Sequence, residues 1–405
     1  MLHPSPARGS SMSTPGSSPD RLRSLTGIRA FAALAVFLPH ALSVSGVFAG
    51  SAARKAADAT IPLATSSVTL FFVLSGLVLT WSAPTRLDAN AFRRRRLVRI
   101  FPAHLTVWTL AVPLIAGYGI SAQMLTVSGP LKPGPALADL FLLQAWYPRY
   151  DLMTAVNPVT WSLACELLFY LAFPLLLTLV RRIPRHRLWH CTALTTGIGL
   201  SVPCLTLLLD GPDFMPSVPV SLEQLWAPYM FPPSRLPEFV LGMLLARIVM
   251  EGMWRPLRLR WILPLPFTAI ATLAVLPPVF AFGPYFAAPV AVIIAELASR
   301  DARRAPSPLR GRALVFLGDR AFAFYLVHYV VIMYTRHFIL GPGTRYGTWA
   351  GLGWVFLAFL PLSCAAAWLL HRYVEKPAVD RFSTGRLPHP GLHRRTRQVP
   401  GPPPA

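Results

Sequence analysis

Charge is scarce in this chain. Asp, Glu, Lys and Arg make up 13% of its 405 residues, about half the share found in soluble globular proteins, so a string of water-facing domains is excluded. Lysine supplies only three of the 38 basic residues (Lys55, Lys132 and Lys376), and acidic residues number 16. The four cysteines (Cys165, Cys191, Cys204 and Cys364) lie in or beside apolar runs without Cys-x-x-Cys spacing. Neither a disulfide framework nor a zinc ribbon is indicated. The ten-residue alternation of a membrane β-barrel is missing. So are an internal repeat, a Gly-rich phosphate loop and a Gly-x-Ser-x-Gly nucleophile elbow.

What the chain has instead is hydrophobic length. Apolar residues make up 54% of it and recur in runs of about 20, the length that crosses a bilayer core about 30 Å thick. The fold class predicted is an all-α polytopic membrane protein of about ten transmembrane helices with both termini cytoplasmic. The spans are expected at Ser24–Val44, Ala64–Trp81, Ile100–Gly117, Val159–Val180, Thr192–Leu209, Leu236–Met250, Trp261–Phe280, Tyr285–Ala298, Leu314–Phe338 and Thr348–Leu370. Ala136–Tyr147 carries Asp139 and is short for a crossing, so it is expected to be re-entrant or interfacial. Arg21, Arg23 and the run Ala30–Leu38 imitate a signal peptide, but Arg29 and His40 interrupt it and favour an uncleaved span.

The net charge of +22 does not gather on one face or arm, as a nucleic-acid partner would require. It falls between the apolar runs. With the N-terminus inside, 28 basic residues lie in cytoplasmic segments and seven outside, while Arg29, Arg247 and Arg320 lie within spans. That is the positive-inside pattern.

Ionisable groups within spans are expensive and therefore informative. Arg29 and His40 are 11 residues apart, which places them on one helical face about 16 Å apart along the axis. A headgroup Arg and a packed His would be the structural alternative. Glu166, in Trp161-Ser162-Leu163-Ala164-Cys165-Glu166, enters from the outside at a depth compatible with His40. A carboxylate there could orient the imidazole, or it could serve helix packing through a Trp or Tyr donor. In Arg93-Arg94-Arg95-Arg96-Leu97-Val98-Arg99, Arg93 and Arg94 suit lipid anchoring. Arg96 and Arg99, three apart, can clasp a phosphate. His328 lies deep in the ninth span, where a packed, hydrogen-bonded role is the commoner one. His186, His190 and Cys191 have metal-ligand spacing, but their basic loop repels a cation. Gly347 and Gly351 suit helix packing.

In order, these motifs resemble the membrane-bound acyltransferase-3 family. They are Arg29-x10-His40, Phe71-Phe72-Val73-Leu74-Ser75-Gly76, Arg96-x-x-Arg99, Trp161-Ser162-Leu163 with Glu166, Tyr325-Leu326-Val327-His328 and Glu375-Lys376-Pro377. Thr26, Ala30 and Leu77 depart from the usual Asp, Gly and Phe. The resemblance covers about Leu22 to Pro377. It implies an integral-membrane acyltransferase domain over 22–377, between a disordered cytoplasmic tail (1–21) and a disordered basic, Pro-rich tail (378–405), with no soluble domain appended. It implies transfer of an acyl group, often acetyl, from cytoplasmic acyl-CoA to a hydroxyl of a carbohydrate, lipid, cell-envelope or glycosylated natural-product acceptor, at the plasma membrane. Acyl-CoA would be a co-substrate, with no permanently bound cofactor or metal. His40 and Glu166 would be catalytic, Arg29, Arg96 and Arg99 would bind the donor, and Ser75, Trp161, Tyr325 and His328 would contact substrate. His40 as general base and His40 as acylated nucleophile both remain open. A transporter or flippase lined by the same charges is the alternative.

The charge map has a direct test. On a background lacking native cysteines, Ser307→Cys is expected to react with an impermeant maleimide only after permeabilisation, and Ser217→Cys to react in intact cells. The reverse pattern inverts the topology.

Overall fold

The computed structural model describes residues 22–118, 131–209, 211, 213–215, 218–341 and 343–383. Its helices are α1 (Arg23–Pro39), α2 (Ser51–Asp58), α3 (Ile61–Trp81), α4 (Ala89–Tyr118), α5 (Pro133–Leu140), α6 (Tyr150–Met153), α7 (Trp161–Arg182), α8 (Leu188–Thr206) and α9 (Leu222–Tyr229). Then follow α10 (Pro232–Met250), α11 (Leu259–Ile262), α12 (Leu265–Thr272), α13 (Ala287–Ala302), α14 (Arg312–Asp319), α15 (Ala321–Thr335), α16 (Thr348–Trp354), α17 (Leu360–Leu370) and α18 (Lys376–Ser383). A two-stranded antiparallel hairpin, β1 (Asp213–Met215) with β2 (Val218–Ser221), precedes α9. The protein is thus essentially all-α.

Among the described residues, six helical stretches are long and apolar enough to cross a membrane: Arg23–Val44, Ser51–Trp81, Ala89–Tyr118, Pro158–Arg182, Ala321–Leu340 and Thr348–Phe382. The other four expected spans fall on weaker elements. They are α8, α10 with its charged Arg235, Glu238 and Arg247, the stretch through α11 and α12, and the 16-residue α13. The seventh expected span, Trp261–Phe280, is broken where Pro264, Pro266, Pro277 and Pro278 withhold backbone donors. The ninth breaks at Arg320, between α14 and α15. Ala136–Tyr147 forms only the end of α5 and a 3₁₀ turn at Gln144–Trp146, too short to cross. The tail 1–21 lies outside the described residues, as does 384–405, whereas 378–383 continue α18 as helix.

Two close backbone approaches set the packing. Gly76 of α3 faces Gly242 of α10. A Cβ at Gly76 would lie 1.9 Å from the Phe239 carbonyl oxygen, and one at Gly242 would lie 1.9 Å from that of Val73. Likewise a Cβ at Gly27 of α1 would lie 2.0 Å from Leu309 O, and one at Gly318 of α14 would lie 1.9 Å from Thr26 O. Helices in lipid gain from van der Waals contact rather than from water exclusion, so small residues that let backbones touch carry the association. The expected pair Gly347 and Gly351 is used differently. Gly351 meets the ring of Phe48, and Gly347 meets nothing.

Buried charge is paired. Arg235 and Glu238 are both fully buried, 3.0 Å apart. Thr69 Oγ1 donates to Glu238 at 2.9 Å, and Arg235 donates to Pro228 O at 3.1 Å. At the start of α1, Asp301 of α13 accepts from Ser24 N at 2.7 Å and Ser24 Oγ at 2.8 Å, satisfying donors that a helix terminus leaves orphaned.

Overpacking a close contact costs about 1–3 kcal/mol, and here the obstacle is a backbone carbonyl. Gly76→Ala and Gly242→Ala are each expected to lower the melting temperature and monodisperse yield of detergent-solubilised protein. Gly353→Ala, with nothing near its would-be Cβ, should leave both unchanged.

Candidate active site

His40 lies where α1 changes character. Pro39 has no N–H to give the preceding turn, and His40–Val44 continue as a π-helical turn. Such wide turns redirect side chains and are frequent at functional sites. The His40 ring is partly exposed, whereas His328 on α15 has no accessible surface. The two meet with His40 Nδ1 3.0 Å from His328 Nε2. His328 Nδ1 lies 3.1 Å from Phe324 O, which can only accept. His328 Nδ1 therefore carries the proton, leaving its Nε2 to accept from His40 Nδ1–H. The lone pair of neutral His40 is thereby assigned to Nε2. Packing fixes the pair, since Phe324 stacks on His328 at 5.8 Å and Tyr329 stands edge-on to His40 at 5.3 Å.

Glu166 does not take the orienting role expected of it. It accepts from Tyr170 Oη at 3.0 Å, one helical turn along α7, and faces a cavity of about 200 Å³. Arg29, Arg96, Arg99, Ser75, Tyr325 and Asp319 line the same cavity. The carboxylate expected beside the imidazole shares a cavity with the guanidiniums instead, and the imidazole is oriented by His328. The Tyr donor named as Glu166's alternative partner is the one present.

Of the arginine run, Arg94 and Arg95 face outward, and Arg93 donates to Leu171 O at 3.2 Å. Arg96 and Arg99 turn inward, as their spacing predicts. The Arg96 guanidinium stands over the rings of Phe92 at 5.4 Å and Tyr170 at 5.8 Å. Arg29 and Arg99 also line a second cavity, of about 740 Å³, that reaches the start of α1 and the helix through Lys376. The two cavities share Arg29, Val78, Arg99 and Asp319.

The four residues expected to contact substrate divide. Ser75 and Tyr325 line the inner cavity, and Ser162 donates to Tyr325 Oη at 2.8 Å while Tyr325 donates to Val159 O at 2.8 Å. His328 joins His40. Trp161 is packed instead between Phe72, at 6.2 Å, and Tyr229, at 4.4 Å, as a wall of the core. Tyr170 and Asp319 escaped the sequence reading. The i, i+4 spacing from Glu166 was a usable signal for Tyr170, but Asp319 reaches the site only through tertiary packing.

A polar knot centred on Asp139 of α5, which is not part of a spanning helix, braces this region. Thr160 Oγ1 lies 2.5 Å from Asp139 Oδ1 and 2.9 Å from Gln144 Nε2, and Asn157 Nδ2 donates to Leu326 O at 2.9 Å, two residues from His328. Burial pushes Asp139 up to about 7, against the opposing pull of hydrogen bonds from Thr160 and the Asn157 backbone.

Comparison with known proteins identifies the family. A family model described as an acyltransferase domain matches residues 22–372, which include every residue of the two cavities except Glu375, Lys376 and Val379. The chain is 38% identical over 371 residues to the acyltransferase MdmB of Streptomyces mycarofaciens, covering 89% of this chain and 92% of that protein. It is 25% identical over 396 residues to the O-acetyltransferase OatA of Staphylococcus aureus, covering 89% of this chain but only 57% of OatA. No solved structure matches it. The chain belongs to the acyltransferase-3 family and is a multi-pass membrane acyltransferase.

Proposed function

We propose that the protein, in the plasma membrane, transfers a short acyl group, acetyl being the simplest, from acyl-CoA on the cytoplasmic side to a hydroxyl of a carbohydrate, cell-envelope or glycosylated metabolite acceptor. The observation that carries this reading is the inward-facing set Arg29, Arg96 and Arg99 in a cavity also lined by Tyr325, whose ring lies 6.0 Å from that of His328 in the histidine pair. The similarity to OatA, an O-acetyltransferase, supports the choice of acyl group and of a hydroxyl.

CoA presents phosphates at one end and a thioester at the other. Guanidiniums match phosphate oxygens bidentately, and here they exceed the carboxylates Glu166 and Asp319 that face them, which leaves a positive excess for an anion. The thin pantetheine arm then reaches toward His40. Nε2 of His40 takes the proton of the acceptor hydroxyl as its oxygen attacks the thioester carbonyl. The C–S bond breaks, and the same proton passes from Nε2 to the departing sulfur, so the step ends with ester, free thiol and neutral imidazole. His328 holds the ring so that Nε2, not Nδ1, faces the reaction. It is a positioning residue.

A positioned base contributes about 100- to 10,000-fold, so His40→Ala is expected to abolish transfer without changing expression or melting temperature. His328→Ala is expected to lower kcat at least about 10-fold with little change in KM. Mass spectrometry of O-acyl groups in envelope and metabolite extracts of a complemented deletion strain reads the first. Turnover with the acceptor so identified reads the second. Near-normal transfer by His40→Ala would refute the mechanism.

Donor recognition is tested separately by binding of labelled acetyl-CoA to purified protein. Arg96→Ala and Arg99→Ala are expected to weaken it about 10-fold or more, the scale of one charge-assisted contact, with Lys restoring only part. Arg94→Ala should have no effect. Equal, mild losses at all three positions would mark the run as a lipid anchor.

A further inference from the structure

Neither the histidine pair nor the inner cavity uses Glu375-Lys376-Pro377. That segment, with the π turn before it (His371–Glu375), forms one wall of the 740 Å³ vestibule. The inner cavity, at about 200 Å³, is smaller than the 300–1,000 Å³ typical of pockets for drug-sized ligands, and a CoA thioester is larger than such ligands. Most of the donor must therefore lie elsewhere, and the vestibule continues the inner cavity at Arg29 and Arg99.

The vestibule wall is cationic. Arg29, Arg99, Arg320, Arg372 and Lys376 face two carboxylates, Asp319 and Glu375. Glu375 is already engaged by His371 Nδ1 at 2.9 Å. Arg372 lies over aromatic faces, 5.6 Å from the ring of Trp368 and 5.8 Å from that of Tyr373. Lys376 pairs with Asp380 only at 3.6 Å, both about two-thirds exposed, a contact worth little. These two cations line the vestibule but not the inner cavity. A donor whose thioester points inward would leave its pyrophosphate at the junction arginines and its ribose 3′-phosphate farther out. A phosphate monoester carries about −1.5 to −2 charge at pH 7, which is what this wall is built to meet.

We propose that the vestibule holds the nucleotide end of the donor and that Arg372 and Lys376 recognise its ribose 3′-phosphate, an inference that rests on acyl-CoA being the donor.

The test measures binding of acetyl-CoA and of its 3′-dephospho form to full-length protein in phosphatidylcholine nanodiscs. Wild type is expected to prefer acetyl-CoA about 10-fold or more. Arg372→Gln and Lys376→Gln should cut that preference to within about threefold by weakening acetyl-CoA alone, and Arg372→Lys should keep part of it. Arg29→Gln should weaken both forms together. Equal binding of the two forms by wild type, or equal weakening of both by Arg372→Gln and Lys376→Gln, overturns the proposal and leaves the donor assignment standing. Failure of wild type to bind either form overturns both. An anionic lipid headgroup offers the same phosphate chemistry. If Arg372→Gln reduces co-purified phosphatidylglycerol while the nucleotide preference persists, the wall binds lipid and the proposal fails. If Arg372→Gln does not fold, the exposed Lys376 carries the test.

Discussion

Placing several guanidiniums inside an apolar helical bundle is the constraint on which the rest of this structure depends. Charge in such surroundings is tolerated only with partners or with water at hand. The protein brings Arg29 from α1 and Arg96 and Arg99 from α4 to one cavity and sets Glu166 of α7 among them, with Asp319 at the mouth. One cluster thereby ties together four parts of the chain. Three guanidiniums face two carboxylates there, Glu166 and Asp319, so the cavity keeps an excess of positive groups.

That arrangement explains why a histidine, and not a carboxylate, stands behind His40. A carboxylate beside the imidazole would stabilise its charged form more strongly, but Glu166 accepts from Tyr170 and lines the cavity of the arginines. A neutral imidazole partner fixes the tautomer without adding charge to the membrane interior. His328 can do so because its own proton is held by Phe324 O, a backbone group that does not titrate.

Much of this was legible in the sequence, for reasons that can be named. Arg29 and His40 lie on one continuous helical stretch, so their spacing along the chain could be read, although the π turn that begins at His40 departs from the regular rotation. Arg96 and Arg99 are separated from Arg94 and Arg95 by the same geometry. The partnership of His40 with His328 crosses 288 residues, and no local period carries information over that distance. For Glu166, its place within an apolar helix could be read but its direction around the helix axis relative to α1 could not. The Gly-x-x-x-Gly spacing at Gly347 was visible and uninformative, while the contact between Gly76 and Gly242 joins two helices whose pairing is a tertiary fact. Hydropathy marked the seventh span as continuous, and its prolines divided it.

The carboxylate of Asp301 at the foot of α1 has a mechanical meaning. It clamps the first turn through the Ser24 backbone and hydroxyl, while His328 grips the imidazole at the helix's other end. A helix held at both ends is a strut of fixed length, since each residue adds a set rise and rotation. One residue inserted between Arg29 and His40 would swing the imidazole through about 100°, off its partner. A change of length in this one segment would therefore uncouple the two ends that it spaces, Arg29 in the inner cavity and the histidine pair.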